Sequence, residues 1–326
     1  MNQLISKVFC IALLLLTVSE VNAGKYVFSV KGTKTYLNGQ EILVVGLRCS
    51  NALYSEEATK DLIAHLDEYK SYGVNTISVF IMGSRYGNFK GYLEDASLNP
   101  LYAKRMAKII KAADQKGMIV VVGCLYWGGS TAKWKSWTQH EANKAVANTV
   151  TWLKKNNFRN VLIDVDNEGM AMREAGFDPA ALVRAAKAVD PSFVVATNFK
   201  GFPPAEADLG IHFSEPDPAK PYVETEGTPT NAPGGYWSKY SRPDPENAVN
   251  YTNIGVYSPE MKENQIQITR EYIQKGWGYM CASTWLQCVP PYGPNADPGG
   301  NGTVGSPGIR WWLEALKEMR GPYNPS

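Results

Sequence analysis

Eight short apolar runs recur along the chain, with segments of mixed polarity between them. They fall at 42–47, 74–81, 118–125, 161–166, 193–197, 209–213, 221–225 and 277–286. Continuous apolar runs of this length are typical of strands that are buried on both faces, as in parallel sheets. The pattern therefore predicts eight buried, parallel strands.

Helical patterns with recognisable ends lie between most of these runs. Asn99-Pro100 opens one helix, which Gly117 can close, and Thr138 with Glu141 forms a capping box at the start of another. Further helices are predicted for 56–72, from Asp178-Pro179 to about Val189, from Ser258-Pro259 to Lys275, and for 307–319. The connections after the fifth and sixth strands are short and nearly free of helix.

Strands that alternate with helices in one undivided chain predict an α/β protein, a single-domain (β/α)8 TIM barrel. A doubly wound open sheet is the alternative fold. Neither GxGxxG nor GxxxxGK[ST] follows the first strand, however, so the sequence carries no phosphate-binding turn. In a barrel, the active-site residues come from the C-terminal ends of the strands and the loops after them.

The first 23 residues differ from the rest of the chain. Lys7 precedes the apolar stretch 9–18, and small residues follow up to Ala23. This stretch is shorter than the roughly 20 apolar residues that span a bilayer. We therefore expect 1–23 to be a signal peptide and 24–326 to be a secreted or periplasmic catalytic domain without a membrane partner.

The charge and the cysteine and histidine content bear on three questions: nucleic-acid binding, metal binding and disulfide bonds. The net charge is +2 and no dense Lys/Arg run occurs, which argues against nucleic acid. The histidines and cysteines form no zinc motif, and Asn295-Ala296-Asp297 lacks the EF-hand spacing, so we expect no metal and no cofactor. Four cysteines lie beyond residue 23: Cys49, Cys124, Cys281 and Cys288. Four cysteines allow three pairings, among which the sequence does not choose, although Cys281 and Cys288 are close enough in the chain to be the favoured pair. The alternative is that all four are buried thiols.

Carboxylates collect at the end of the fourth strand, in VLIDVDNE. Asp164, Asp166 and Glu168 share one face if the strand is regular. The seventh strand ends at Glu226, with Glu224 expected one layer deeper on the same face. Two carboxylates that face each other can cleave a glycosidic bond, because one protonates the leaving oxygen while the other attacks the anomeric carbon or activates water. The two aspartates are expected to have structural or orienting roles.

These residues resemble the motifs of glycoside hydrolase clan A, which includes the cellulase-type family-5 enzymes. Asn167-Glu168 and Glu226 stand at the ends of strands four and seven, and Ile211-His212-Phe213 is similar to the His-x-Tyr stretch of the clan. The resemblance implies Glu168 as acid/base, Glu226 as nucleophile and Asn167 as the partner of the sugar 2-hydroxyl, in a retaining mechanism. It also implies that His212 lines the site.

Two positions depart from the clan pattern. Gly227 stands where relatives carry an aromatic residue, which leaves Glu224 as an alternative nucleophile. Ser78 stands where many family-5 enzymes carry an arginine, and either Arg48 or Arg85 could supply that cation.

The predicted substrate is a β-linked oligo- or polysaccharide. Trp285 is similar to the tryptophan of the clan that stacks under the sugar, and Trp127 is a second candidate platform. A transglycosylase with the same two acids and a carbohydrate-binding barrel that has lost catalysis are alternatives. A Ser/His/Asp hydrolase has only Ser214 near His212 in its favour, and no GxSxG motif accompanies it.

Overall fold

The computed structural model describes residues 24–84, 87–227, 259–282, 286 and 300–325. The predicted signal peptide, Arg85, Trp285 and Cys288 lie outside these described residues, so the signal peptide and the Cys281–Cys288 pairing stay predictions. Cys49, Cys124 and Cys281 are buried. None of the described helices combines the length and apolar character needed to cross a membrane.

A small antiparallel sheet, which the sequence analysis did not predict, precedes the barrel. It consists of β1 (Phe28–Lys31), β2 (Lys34–Leu37) and β3 (Gln40–Glu41). These strands are short and rich in polar residues, so they lack the apolar runs that identify the barrel strands.

Eight parallel strands close into a barrel, which confirms the predicted fold class. In chain order they are β4 (Val45–Arg48), β5 (Thr76–Phe80), β6 (Ile119–Leu125), β7 (Val161–Asp166), β8 (Val194–Thr197), β9 (Leu209–Ile211), β10 (Tyr222–Gly227) and β11 (Gly278–Ala282). Each strand pairs in parallel with the next, and β11 pairs with β4 to close the barrel. Every strand lies within or close to one of the eight predicted runs.

The small sheet closes the N-terminal end of the barrel. Its Phe28 and Leu37 belong to the same buried cluster as Val121 and Leu162, which face the barrel interior. The backbone N–H of Phe28 also donates to the carbonyl of Arg159, just before β7. The opposite end, where the strands reach their C-termini, is therefore the end at which a site can form.

The helices pack around the outside of the barrel. They are α1 (Glu56–Ala64), α2 (Leu66–Ser71), α3 (Pro100–Gln115), α4 (Gln139–Lys155), α5 (Met170–Ala175), α6 (Pro179–Val189), α7 (Pro259–Gln274) and α8 (Arg310–Arg320). Asn99 caps α3, and Thr138 caps α4 in a complete capping box, as predicted. The predicted helix over 56–72 is divided at His65, whose ψ of 1° leaves the helical range. The connections between β8, β9 and β10 contain no α-helix, as expected.

Candidate active site

Glu168 lies in a tight turn directly after β7. The regular strand ends at Asp166, and Asn167–Gly169 forms a single 3-10 turn in which Glu168 has φ 53° and ψ 20°. This left-handed conformation is costly for a residue with a side chain. Arg173 donates a hydrogen bond to the carbonyl of Glu168, and the carboxylate of Asp166 accepts one from Ala171 N–H at 3.0 Å. These hydrogen bonds fix the turn on both sides. The regular alternation of side chains along β7, which was expected to put Glu168 on the same face as Asp164 and Asp166, ends before Glu168.

Three ionisable side chains from three strand ends meet at the C-terminal mouth of the barrel. They are Glu168 after β7, His212 after β9 and Glu226 on β10, and one polar atom of each lies within 4.8 Å of the other two. Glu226 is buried, whereas Glu168 and His212 are partly buried. The structure therefore brings together the three side chains that the motifs singled out.

Arg48, the last residue of β4, supplies the cation of this cluster. Its Nη2 lies 3.0 Å from Oε1 of Glu226 and donates a hydrogen bond to Oδ1 of Asn167 at 2.8 Å. The guanidinium also lies 5.1 Å from the ring centroid of Phe80. Ser78 on β5 lies in register with Arg48 on β4. The positive charge therefore comes from β4, whereas many family-5 enzymes carry their arginine on the strand that corresponds to β5.

The two carboxyl groups have different surroundings. Burial, and next the negative charge of Glu226, raise the pKa of Glu168 to about 7, while His212 and Arg48 oppose this rise. Glu226 instead has the buried guanidinium of Arg48 as its ion-pair partner. Burial lowers the pKa of Arg48, but the neighbouring carboxylates outweigh burial and raise it, so Arg48 stays charged. A carboxyl that keeps its proton near neutral pH thus lies beside one that is held in an ion pair.

The two aspartates of β7 have supporting positions. Asp166 accepts hydrogen bonds from the backbone N–H groups of Ala171 and Met172, although burial raises its pKa well above the usual value. Asp164 lies deeper and accepts from Asn198 Nδ2 at 3.5 Å, and burial raises its pKa to about 6. Asp166 therefore fixes the start of α5 after the Glu168 turn.

Glu224 lies beside His212, and its position corrects one expectation. Val223 belongs to the apolar cluster inside the barrel, so regular alternation would direct its neighbour Glu224 to the other face of β10. The register between β10 and β11 shifts between Glu224 and Gly227, so the expected regular alternation that put Glu224 one layer below Glu226 on the same face is wrong. Oε1 of Glu224 instead lies 2.7 Å from Nδ1 of His212 and accepts from the backbone N–H of Glu226, also at 2.7 Å.

Gly227 fits against the ring of Tyr279. A Cβ atom at position 227 would lie 2.2 Å from Cζ and from the hydroxyl oxygen of Tyr279. Tyr279 is fully buried, so it has little room to move. This contact leaves no room for an aromatic side chain at position 227.

The aromatic residues of the site differ from the predicted set. Trp127 is 5% exposed and packs against Trp137 and Phe177, which leaves its ring little surface for a sugar. Trp285 lies outside the described residues. Phe213, which the sequence analysis did not select as a platform, is 38% exposed and stacks on His212 with ring centroids 4.3 Å apart. In the sequence, Phe213 can be recognised as an aromatic residue that directly follows the histidine at the strand end.

The spacing of Glu168, His212 and Glu226 would also suit a metal ion. The charges of the neighbouring side chains indicate which kind of ligand the site favours. Burial lowers the pKa of His212, but the carboxylates of Glu224 and Glu226 outweigh burial and raise it to about 9. Together with Arg48, two protein cations therefore already face the carboxylates. This balance favours a neutral organic ligand over a metal ion.

No family model and no curated protein matches the sequence. Solved structures do match its fold. A β-glucanase from Saccharophagus degradans in complex with cellotetraose has a TM-score of 0.57 at 15% identity, over 92% of this chain and 95% of that one. A hyperthermophilic endocellulase from the archaeon Pyrococcus horikoshii has a TM-score of 0.55 at 13% identity, over 92% and 99%. A family-5 glycoside hydrolase from Bacteroides vulgatus has a TM-score of 0.56 at 16% identity, over 90% and 69%.

The structural neighbours are thus glycoside hydrolases of the family-5 type, in agreement with the clan resemblance of the motifs. At these identities the similarity establishes the (β/α)8 fold, which many unrelated activities share. The argument for function has to come from the site.

Proposed function

We propose that this protein is a retaining glycoside hydrolase that cleaves β-linked oligo- or polysaccharides. One observation carries the proposal: the carboxyl groups of Glu168 and Glu226 meet within 4.8 Å at the barrel mouth, one with a raised pKa and one paired with Arg48. Retaining glycosidases hold their carboxyl groups about 5–5.5 Å apart, whereas inverting enzymes hold them about 6.5–9.5 Å apart. The observed spacing supports retention.

In the first step, a carboxylate oxygen of Glu226 attacks the anomeric carbon. Glu168 donates its proton to the glycosidic oxygen, the bond from that oxygen to the anomeric carbon breaks, and the sugar stays bound to Glu226 as an ester. Burial keeps Glu168 protonated up to about pH 7, which is the condition that this step requires.

In the second step, Glu168 acts as the base. Once Glu226 is esterified it carries no charge, so one of the causes that raise the pKa of Glu168 is removed. Glu168 then accepts a proton from the attacking water, the ester bond breaks, and Glu226 leaves as a carboxylate. Two inversions at the anomeric carbon retain its configuration.

The side chain of Asn167 is oriented for a sugar hydroxyl. Its Oδ1 accepts from Arg48, and its Nδ2 donates to Sδ of Met170 at 3.9 Å, so we assign the second hydrogen of Nδ2 to the substrate. We assign it to the 2-hydroxyl, whose hydrogen bonds strengthen in the transition state. His212 lines the same site, and Trp285 remains the proposed stacking platform.

Substrate class and location follow from separate arguments. The names of the structural neighbours include a β-glucanase, an endocellulase and, from the mussel Mytilus edulis, a β-mannanase, all consistent with a β-linked glycan. The proposed signal peptide at 1–23 places the enzyme outside the cytoplasm, secreted or periplasmic, where such polymers are found.

Reducing-end release from a panel of β-glycans tests the proposal. Wild type, Glu226→Gln and Glu168→Gln are compared with Glu215→Gln, a control at an exposed glutamate three residues after His212. We expect activity in wild type and in the control, and its loss in both site variants. Pretreatment with EDTA should change nothing. Glycan binding without cleavage by wild type would contradict the proposal in favour of a binding protein.

The role of Glu168 has a test of its own. Loss of a general acid costs about 10²–10⁴-fold in rate, but a leaving group that needs no proton escapes this cost in the first step. Glu168→Gln should therefore form the ester normally from a dinitrophenyl glycoside, seen as a burst of dinitrophenol, while it fails on natural glycans. A loss of equal size on both substrates would contradict the assignment. Transfer of sugar to added acceptors would identify the transglycosylase alternative.

A further inference from the structure

Glu224 makes two short contacts that neither proposed carboxylate role uses. Its Oε1 lies 2.7 Å from Nδ1 of His212 and 2.7 Å from the backbone nitrogen of Glu226. The carboxylate is largely buried, with 13% of the side chain exposed. One oxygen atom thus joins the ring of His212 to the backbone of the proposed nucleophile.

We propose that Glu224 is a positioning residue that acts through His212: it fixes the imidazole as a cationic donor beside Glu168 and Glu226. The effect of Glu224 on catalysis rests on the proposed function, whereas its contacts with His212 and Glu226 do not. With Nδ1–H donated to Glu224, Nε2–H is the second donor of the charged ring.

The backbone of His212 is held by the same strand as its ring. His212 has φ 46°, a left-handed conformation that is uncommon for this residue. Its N–H donates to the carbonyl of Val223 at 3.0 Å, and its own carbonyl accepts from the hydroxyl of Tyr222 at 2.6 Å. Three successive residues of β10, 222–224, therefore determine where the ring lies. Such support is typical of a side chain whose orientation matters.

Several titratable groups face His212. On β10 they are Glu224 and Glu226, with the hydroxyl of Tyr222; from β7 and the turn after it, they are Asp164 and Glu168. Only Glu224 among them has a hydrogen bond to the ring. Burial by itself would lower the pKa of His212, yet the carboxylates raise it to about 9, with Glu224 the first of them.

Removal of the Glu224 charge should therefore lower the pKa of His212 and, as a consequence, raise the pKa of Glu168. His212 loses its direct partner while its burial remains, so its pKa should fall, although Glu226 and Glu168 still oppose the fall. The charged ring is one of the groups that lower the pKa of Glu168. When the ring becomes neutral, the pKa of Glu168 should rise, and the basic limb of the activity profile should move to higher pH.

The primary experiment is an NMR titration of the histidine ring signals, which needs no substrate. The chain has three histidines, so His65→Gln and His140→Gln variants assign the His212 signal. Wild type, Glu224→Gln and the control Glu215→Gln are titrated from pH 5 to pH 10. Glutamine at 224 keeps an acceptor for the N–H of Glu226 and removes only the charge.

We expect His212 in wild type and in the Glu215→Gln control to stay charged up to about pH 9, and in Glu224→Gln to lose its charge at a clearly lower pH. A wild-type His212 that titrates near pH 6.5, or one that is unchanged in Glu224→Gln, would overturn the proposal. If Glu224→Gln does not fold, the wild-type titration and Glu224→Asp still decide, since aspartate keeps the charge but withdraws it by one methylene.

The pH profile of kcat/KM gives the second readout. In Glu224→Gln we expect the basic limb to move to higher pH, a shift that a purely structural defect would not produce. A lower rate with unmoved limbs would refute the positioning role. If wild type cleaves no glycan at all, the proposed function fails, and the NMR titration still tests the Glu224–His212 pair.

Discussion

Arg48 and Glu226 form an ion pair inside the barrel mouth: Nη2 and Oε1 lie 3.0 Å apart, and their side chains are 1% and 6% exposed. The two residues lie far apart in the chain and meet because the barrel is closed, with only β11 between β10 and β4. Buried charges are tolerated only when they are paired and hydrogen-bonded. The pair therefore couples the stability of the barrel mouth to the chemistry proposed for it.

A double-mutant cycle measures this coupling. Arg48→Met leaves the carboxylate of Glu226 buried without its partner and should lower the free energy of unfolding by about 3–5 kcal/mol. Glu226→Gln should lower it too, and the double variant should cost less than the sum of the two by at least about 1 kcal/mol. Urea unfolding gives all three values.

The matched control for that cycle is the Lys34–Glu41 pair, whose side chains are 50% and 55% exposed. An exposed pair contributes little, so Lys34→Met should cost less than about 1 kcal/mol. Additive effects at Arg48 and Glu226 would show that the ion pair contributes no coupling.

The pH dependence of kcat/KM should have a basic limb near pH 7. Glu168 has to be protonated to act as the acid, and its pKa is raised to about 7, so activity should fall as the pH rises through this value. Glu168→Gln, assayed with an activated aryl glycoside, should lack this limb. Activity that stays constant from pH 6 to pH 9 in wild type would contradict the assignment of Glu168.

Gly227→Ala should destabilise the fold through Tyr279. The new methyl group would lie 2.2 Å from the buried ring, and overpacking of this kind costs about 1–3 kcal/mol. The cost should become smaller in a Tyr279→Leu background. Gly305→Ala is the control, because nothing lies within 4 Å of a Cβ atom at that position. Equal unfolding midpoints for the two glycine variants would refute the contact.

The proposed signal cleavage after Ala23 predicts a new charge pair. The backbone nitrogens of Gly24, Lys25 and Tyr26 lie 3.1, 3.0 and 3.0 Å from the carboxylate of Asp114, which is 2% exposed. In a chain that begins at Gly24, the first of these nitrogens is an ammonium group. Such a chain should be about 1 kcal/mol more stable than one with an added alanine before Gly24.

The sign of the pH effect follows from the ammonium group, whose ordinary pKa is about 7.7–8.0. A cation that gains a partner on folding contributes its full stability below that pH and loses it as the pH rises further. Urea unfolding at pH 6 and at pH 10 should therefore show the difference only at pH 6. An Asp114→Asn variant that keeps the difference would contradict the pair.

The barrel could be predicted because its strands are buried on both faces, and such strands appear in the sequence as continuous apolar runs. The small N-terminal sheet could not, since strands such as Gln40–Glu41 are too short and polar to leave a pattern. The places of Glu168 and Glu226 at strand ends, and the clan resemblance for Asn167, select these residues from the sequence, and their roles stay predictions. The position of Arg48 at the site needed the structure, because its contacts with Glu226 and Asn167 cannot be deduced from the sequence. Arg85, the other candidate, lies outside the described residues.

The surroundings of Glu168 and Glu224 lay beyond sequence reasoning for a different reason. Regular alternation predicts where a side chain points only while the strand is regular. The left-handed turn at Glu168 and the register shift after Glu224 both break that alternation, and no apolar pattern in the sequence marks either of them. Both irregularities lie at residues of the proposed site, where strained backbone is common.

The most direct test of the central claim is to trap the glycosyl-enzyme. A 2-deoxy-2-fluoro β-glycoside with a dinitrophenol leaving group slows the second step more than the first, and mass spectrometry of the digested protein locates the label. Gluco and manno forms are both used, since the sugar is not fixed by the site. The account predicts one fluorosugar attached to Glu226. A label on Glu224, or a natural product released with inverted anomeric configuration, would contradict it.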